Sequence, residues 1–230
     1  VITSCLALLI AAVSPQDLDV EGALLRFRKG YANPNTSVRV TAVSELARVP
    51  HEKSFGKLVQ LLTSDVKEVR IAASKGLVGF TEQKKMAVAS LINALAPNSK
   101  EIEVQCAIYE SLGKIEDPLS LQVIHSGFRD PQVRVAKAAL AAAGTYRAKE
   151  SLDVINDLMG DIQTWLKKNQ GGGYIDGSVI GDNAVRKARL EDLMKSVIAS
   201  LQAITKEKWT TVKEWEVWFR RYRADFEVPK

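Results

Sequence analysis

Apolar side chains recur along the chain at steps of three and four, broken at regular intervals by short polar turns. That is the pattern of successive amphipathic helices. Val38, Ala42, Leu46 and Val49 predict one helix, which Pro50 and His51 end. Phe55, Leu58, Val59, Leu61 and Leu62 predict a second, closing near Thr63, Ser64 and Asp65. The arrangement repeats with Val69, Ala73, Leu77 and Phe80, then Met86, Val88, Ala89, Leu91, Ile92 and Leu95, up to Pro97 and Asn98. Val104, Ile108, Leu112 and Ile115 open a third pair, and Asp117 and Pro118 turn the chain into a shorter helix over 119–128. A fourth pair starts with Asp130 capping and Pro131 in the first turn, where a missing amide costs nothing. Its first helix continues through Ala136, Leu140 and Ala143. Its second, over about 149–168, follows Leu152, Ile155, Leu158, Met159, Ile162 and Leu166 and is longer than its counterparts.

Each first helix carries one short signature: Val38-Arg39, Val69-Arg70, Val104-Gln105 and Val133-Arg134, with valines 31, 35 and 29 residues apart. A fifth copy, Val185-Arg186, follows after an insertion. A two-helix unit of this length has an apolar stripe it cannot bury alone, so neighbouring units must stack. Ala72, Ala73, Ala107, Ala136 and the alanines within 138–143 are small enough to let layers approach closely.

The run from Asp130 to Leu140, DPQVRVAKAAL, closely resembles the HEAT-repeat consensus, and 65–77 is similar to it. The stretches 35–46 and 103–112 match more loosely, with Gln105 in place of the usual arginine. The resemblance implies an all-α fold, a right-handed α-α superhelix of the HEAT or armadillo kind with about five helix pairs. It also implies that the valine packs inward and that the arginine ties neighbouring repeats together through an acidic partner. The end of the chain, from Ser200 to Thr205 and on through Trp209, Trp215 and Trp218, is similar to that of exported HEAT-repeat proteins of planctomycete-like bacteria. Those proteins carry Gly after the threonine, where this chain has Lys206.

The pieces outside the repeat divide the chain further. Residues 1–14 hold an apolar run over 5–13 followed by Pro15, Gln16 and Asp17, which reads as an export signal, with an apolar cap on the first layer as the alternative. The run is too short to span a bilayer as an ordinary helix. A helix over 17–31, through Val20, Leu24, Phe27 and Tyr31, is expected to cover the first layer of a solenoid over 17–205. Residues 170–183 hold five glycines in fourteen positions and read as a loop or a short hairpin around Asp176-Gly177. In 206–230, Trp215, Trp218, Phe219, Tyr222 and Phe226 fall on one helical face, an aromatic segment expected to cap the stack.

Composition excludes several functions. A net charge of +5 on 230 residues, spread over both halves, leaves no block that would advertise nucleic acid. Two cysteines, Cys5 and Cys106, form no metal spacing or disulfide framework. The two histidines, His51 and His125, have no i,i+4 partner, and no nucleophile elbow, phosphate-cradling loop or calcium loop is present. No cofactor and no catalytic or metal-ligating residue is expected. The expectation is a non-enzymatic scaffold or adaptor that binds a protein partner on the concave face, exported rather than cytoplasmic and without a transmembrane anchor. Its candidate contacts are Tyr174, Ile175 and Asp176 in the insertion and Lys53, Lys57, Lys84 and Lys85 on the second helices. A nucleic-acid-binding or DNA-repair protein of the same architecture is the alternative, supported by a pI near 9.1.

Overall fold

The computed structural model describes residues 15–169 and 179–229. Residues 1–14, including the candidate export segment and Cys5, lie outside them, as does 170–178. The described residues are helical throughout, without a strand, and form an α-solenoid of stacked antiparallel pairs. Helix α1 (Pro15–Tyr31) precedes the first pair, α2 (Thr36–Leu46) with α3 (Glu52–Leu61). Next come α4 (Lys67–Gly76) with α5 (Lys84–Leu95), α6 (Ile102–Ile115) with α7 (Pro118–Gly127), and α8 (Val133–Tyr146) with α9 (Ser151–Lys168). Helices α10 (Val179–Thr205) and α11 (Val212–Tyr222) follow. The first helices α2, α4, α6, α8 and α10 form one row, and α3, α5, α7 and α9 form the other. Helix α1 falls in line with the second row and packs along α2, burying Val20, Ala23, Leu24 and Phe27.

Local chemistry sets the boundaries. Asn35 caps α2 by accepting from Ser37 N at 2.9 Å, and Asp117 caps α7 by accepting from Leu119 N at 3.0 Å, with Pro118 in the first turn. His51 caps α3 through Nδ1, which accepts from Lys53 N at 3.1 Å. Asp130 accepts from Gln132 N at 2.7 Å, but α8 begins only at Val133, so Pro131 precedes the helix rather than occupying its first turn. Three first helices end on a left-handed residue that is not glycine: Glu116, Arg147 and Lys206.

One core runs through the whole stack, from Val20 in α1 to Trp218 in α11. The first row is the tightly packed one. A Cβ on Gly113 of α6 would lie 2.7 Å from the carbonyl oxygen of Ala142 in α8, and one on Gly144 would lie 3.0 Å from Ala203 of α10. The signature valines are not equivalent: Val69 and Val104 are fully buried, Val133 partly, and Val38 is exposed on the first turn of α2.

Three departures from the expected elements matter for the site. Helix α9 is longer than α3, α5 and α7, as its sequence predicts. Residues 179–183, expected to belong to the insertion, start α10, so Val179 and Ile180 are helical and cannot form the second strand of a hairpin. The part of α10 that packs on α8 begins near Asp192, which pairs with Lys137 at 2.8 Å, and continues through Val197 and Leu201. The fifth signature therefore lies before the stacked part of α10, in an exposed extension where Val185 is 70% accessible.

At the C-terminus, Thr211 and Glu214 form a capping box at the start of α11. Trp215 and Trp218 are buried, and Trp218 meets Phe219 and Phe226 edge to face. Tyr222, predicted on the same face, is 53% exposed. Gln163 Nε2 lies 3.1 Å from Glu216 Oε1, and Arg223 Nη2 lies 2.7 Å from Asp153 Oδ2. Helix α11 thus runs back along α9 in the opposite sense.

Candidate functional site

Of the residues singled out in the sequence, Lys53, Lys57, Lys84 and Lys85 lie on α3 and α5, and Tyr174, Ile175 and Asp176 lie outside the described residues. Lys53 pairs with Glu21 of α1, and Lys57 Nζ approaches Gln60 Oε1 at 3.3 Å. Lys84 Nζ donates to the Glu116 carbonyl at 3.0 Å, reaching the turn after α6, while Lys85 is exposed.

The signature arginines divide into two kinds. Arg39 reaches Asp65 at 3.2 Å and Arg70 reaches Asn98 at 3.0 Å, each tying its layer to the turn that opens the next. Gln105 donates to Ser99 O at 3.0 Å within its own turn, so the third tie is missing. Arg134 turns back to Glu103 at 3.2 Å on the exposed face. Arg186 lies over the indole of Trp165, its guanidinium carbon 4.9 Å from the ring centroid.

His125 and Cys106 are both in contact with neighbouring helices. His125 Nε2 and Ser151 Oγ are 2.9 Å apart, joining α7 to α9, but Ser151 is fully buried and cannot meet a substrate. Burial holds the His125 imidazole below its ordinary pKa, against the pull of nearby Glu150. Among the described residues no carboxylate hydrogen-bonds its other nitrogen, as a catalytic triad would need. The Cys106 thiol, pushed up by burial, sits against the Arg134 carbonyl. No group of three or more His, Cys, Asp or Glu among the described residues could hold a metal ion. No described helix is long and apolar enough to cross a membrane.

One cavity lies beside the exposed start of α10. A cleft of about 670 Å³ opens between the α7–α8 turn and the pair formed by α9 and the extended start of α10. Phe128 to Pro131 form one wall. Helix α9 contributes Leu158, Asp161, Ile162 and Trp165, and α10 contributes Val185, Arg186, Arg189, Leu190 and Leu193. These steps of three and four put each set on one helical face. The floor is apolar, since Leu158, Ile162 and Leu193 are buried, while the rim is charged. Arg129 Nη2 pairs with Asp161 Oδ2 at 2.8 Å across the mouth. The cleft lies one turn before the end of α9, close to where the chain leaves for 170–178.

Trp165 and Arg129 escape a reading by repeat signature because neither belongs to one. The available signals were the excess length of α9 and an indole in register with Leu158 and Ile162 on its stripe. Arg129 and Asp161 are 32 residues apart and meet only through stacking.

Residues 57–145, from within α3 to within α8, match the family model described as HEAT repeats. No curated protein matches the chain in sequence.

Proposed function

We propose that this protein is a non-enzymatic protein-interaction scaffold whose principal binding site is the cleft between the α7–α8 turn and the α9–α10 pair. The observation that carries the reading is the composition of that cleft, an apolar floor within a charged rim of three arginines and two aspartates beside the exposed start of α10. Protein interfaces combine a desolvated apolar centre with a polar rim in which aromatic residues and arginine are enriched. HEAT repeats commonly serve protein interaction, and the repeat match supports the same class. Lys53, Lys57, Lys84 and Lys85 on α3 and α5, together with Tyr174, Ile175 and Asp176 after α9, are proposed as further contacts.

The nucleic-acid alternative has less support. Its basic residues on the second row are mixed with acids and bound to neighbours, as in Lys53 with Glu21, Arg129 with Asp161 and Lys149 with Glu227. A phosphate track needs cations in a continuous line with their donors available.

The test is a photo-crosslinking residue placed at Val185, with a second placed at Lys100, in the α5–α6 turn, as control. Protein adducts from position 185 and none from position 100 are expected. No protein adduct from 185, or reproducible turnover of a small substrate, would remove the reading. The apolar run over 5–13 further supports export, and a fusion of residues 1–20 to a secreted reporter would fail to be exported if that is incorrect.

A further inference from the structure

We propose that the cleft recognises an acidic segment of its partner, in which carboxylates flank one apolar anchor side chain. The proposal rests on the scaffold reading and assigns the chemistry of what that site takes. It begins with Arg186 and Arg189, one helical turn apart on the cleft face of α10. Among the described residues neither has a carboxylate within ion-pair distance, whereas Arg129 across the mouth is already joined to Asp161.

Arg186 is held in a particular way. Its guanidinium carbon lies 4.9 Å from the Trp165 ring centroid, a cation–π contact that leaves the in-plane N–H donors available, since the ring itself accepts no conventional hydrogen bond. A planar fork held beside an indole is suited to donate two parallel hydrogen bonds to one carboxylate. Arg189 supplies a second cation one turn further on. Lys167 and Lys168 in the last turn of α9 are exposed and add to the positive field beside the cleft. Asp130 lies on the opposite wall, where it accepts from Gln132 N, so the cationic side is that of α10.

The apolar anchor follows from the other half of the lining. Val185 is 70% exposed and lines the same cleft as Leu158, Ile162 and Leu193. Val185, with half-buried Trp165 and Leu190 in the same lining, is surface that an apolar side chain of a partner would remove from water. Nucleic acid fits this arrangement poorly. The Trp165 face that a base would stack on is occupied by Arg186, and the floor offers no donors or acceptors to base edges.

The test uses the intact protein and short fluorescein-labelled peptides in which Asp and Glu flank one Leu, Phe or Trp, with Asn and Gln counterparts as controls. Anisotropy titrations at 50 mM salt should show the acidic peptides binding about tenfold or more tightly than their amide counterparts. Raising the salt to 300 mM should narrow that ratio. Arg186→Gln and Arg189→Gln should each weaken the acidic peptides about tenfold, with thermal melts unchanged because both side chains are exposed. Arg186→Lys keeps the charge without the fork and should fall between. Equal binding of acidic and amide peptides, or full binding by both glutamine variants, would overturn the proposal. So would tighter binding of a single-stranded oligonucleotide through the same arginines. Binding seen only after deletion of 170–178 would show that the cleft receives the chain's own segment, and would overturn it too. If position 185 still crosslinks to a protein while no acidic peptide binds, this proposal fails and the scaffold reading stands. Failure of both experiments removes both.

Discussion

Arg70 and Asn98 are joined across a layer boundary, with Nη1 of the arginine 3.0 Å from Oδ1 of a fully buried asparagine. The amide of Asn98 then donates to Leu62 O at 3.1 Å and to Ala94 O at 2.7 Å, so one side chain links α4, the end of α3 and the end of α5. Asn98→Ala would leave both carbonyls and the arginine short of partners inside the core. The expected loss is about 3 kcal/mol, against about 1–2 kcal/mol for Arg70→Ala, whose side chain is only partly buried. Chemical denaturation of the two single variants and the double variant should show coupling of about 1 kcal/mol. Peptide binding at the α9–α10 cleft should not change in Arg70→Ala. Weaker binding with an unchanged melt would assign Arg70 to recognition instead.

Gly113 and Ala142 bring α6 and α8 into backbone contact. In an ordinary helix interior Gly→Ala stabilises by about 0.8–1 kcal/mol. Here the added methyl would lie 2.7 Å from the carbonyl oxygen and 2.8 Å from the Cα of Ala142, both backbone atoms that cannot rotate aside. Overpacking should reverse the sign and cost a net of about 1–3 kcal/mol. Gly160 in α9 meets nothing within 4 Å, so Gly160→Ala should stabilise by the propensity alone. A rise in melting temperature for both would show that the first row is looser than its geometry.

The contrast between these helices explains what the sequence could and could not reveal. Stacking was legible because burial imposes periodicity: Val69, Ala73 and Leu77 recur as Val104, Ile108 and Leu112 whatever their partners are. The arginine ties were legible only where the following turn supplies an acceptor, as Asp65 does for Arg39 and Asn98 for Arg70. Val185-Arg186 repeats the letters of the signature without its place, because an exposed helix accepts the same residues. The cleft was illegible for a different reason. Its walls come from three segments, and the spacing of Arg129, Trp165 and Arg189 has no period of its own.

Tyr31 and Asp65 predict how stability depends on pH. The Tyr31 hydroxyl donates to Asp65 Oδ2, while Arg39 and the Val66 amide donate to Oδ1. Burial pulls the Asp65 carboxyl upward, but those donors outweigh it and hold the group below its usual range. Burial and the Asp65 hydrogen bond push Tyr31 up to about 12. A lowered carboxyl contributes stability above its unfolded pKa, near 4, and that stability is lost as pH falls through the folded value. A raised phenol contributes below pH 10 and loses that contribution as pH rises from 10 to about 12. Tyr31→Phe should therefore cost about 1–2 kcal/mol near neutral pH. The gap from the parent protein should narrow below pH 4 and above pH 10. Urea titrations at pH 3, 7 and 11 would check this, and a gap of constant size would show that the hydroxyl acts through packing alone.

Lys206 closes α10 with φ 65, and its amide donates to Gln202 O at 2.8 Å. A left-handed residue just past a helix end is a position that favours glycine. A left-handed residue with a Cβ carries a penalty of about 1–2 kcal/mol, whereas glycine adopts the same conformation freely. Glycine loses more chain entropy on folding, about 0.5–1 kcal/mol, so Lys206→Gly should stabilise by a net of roughly 0.5–1 kcal/mol. In a chain of this size that is about 1–4 °C in Tm. Lys206→Ala should change little, because the lysine side chain is exposed and alanine keeps the strain. Arg147, also left-handed at φ 58, is the informative comparison, since its guanidinium donates to the Pro229 carbonyl. Arg147→Gly would relieve strain but release that end of the chain, and its Tm should rise less than that of Lys206→Gly. An equal or larger rise at position 147 would mean that the tie to Pro229 adds nothing to stability.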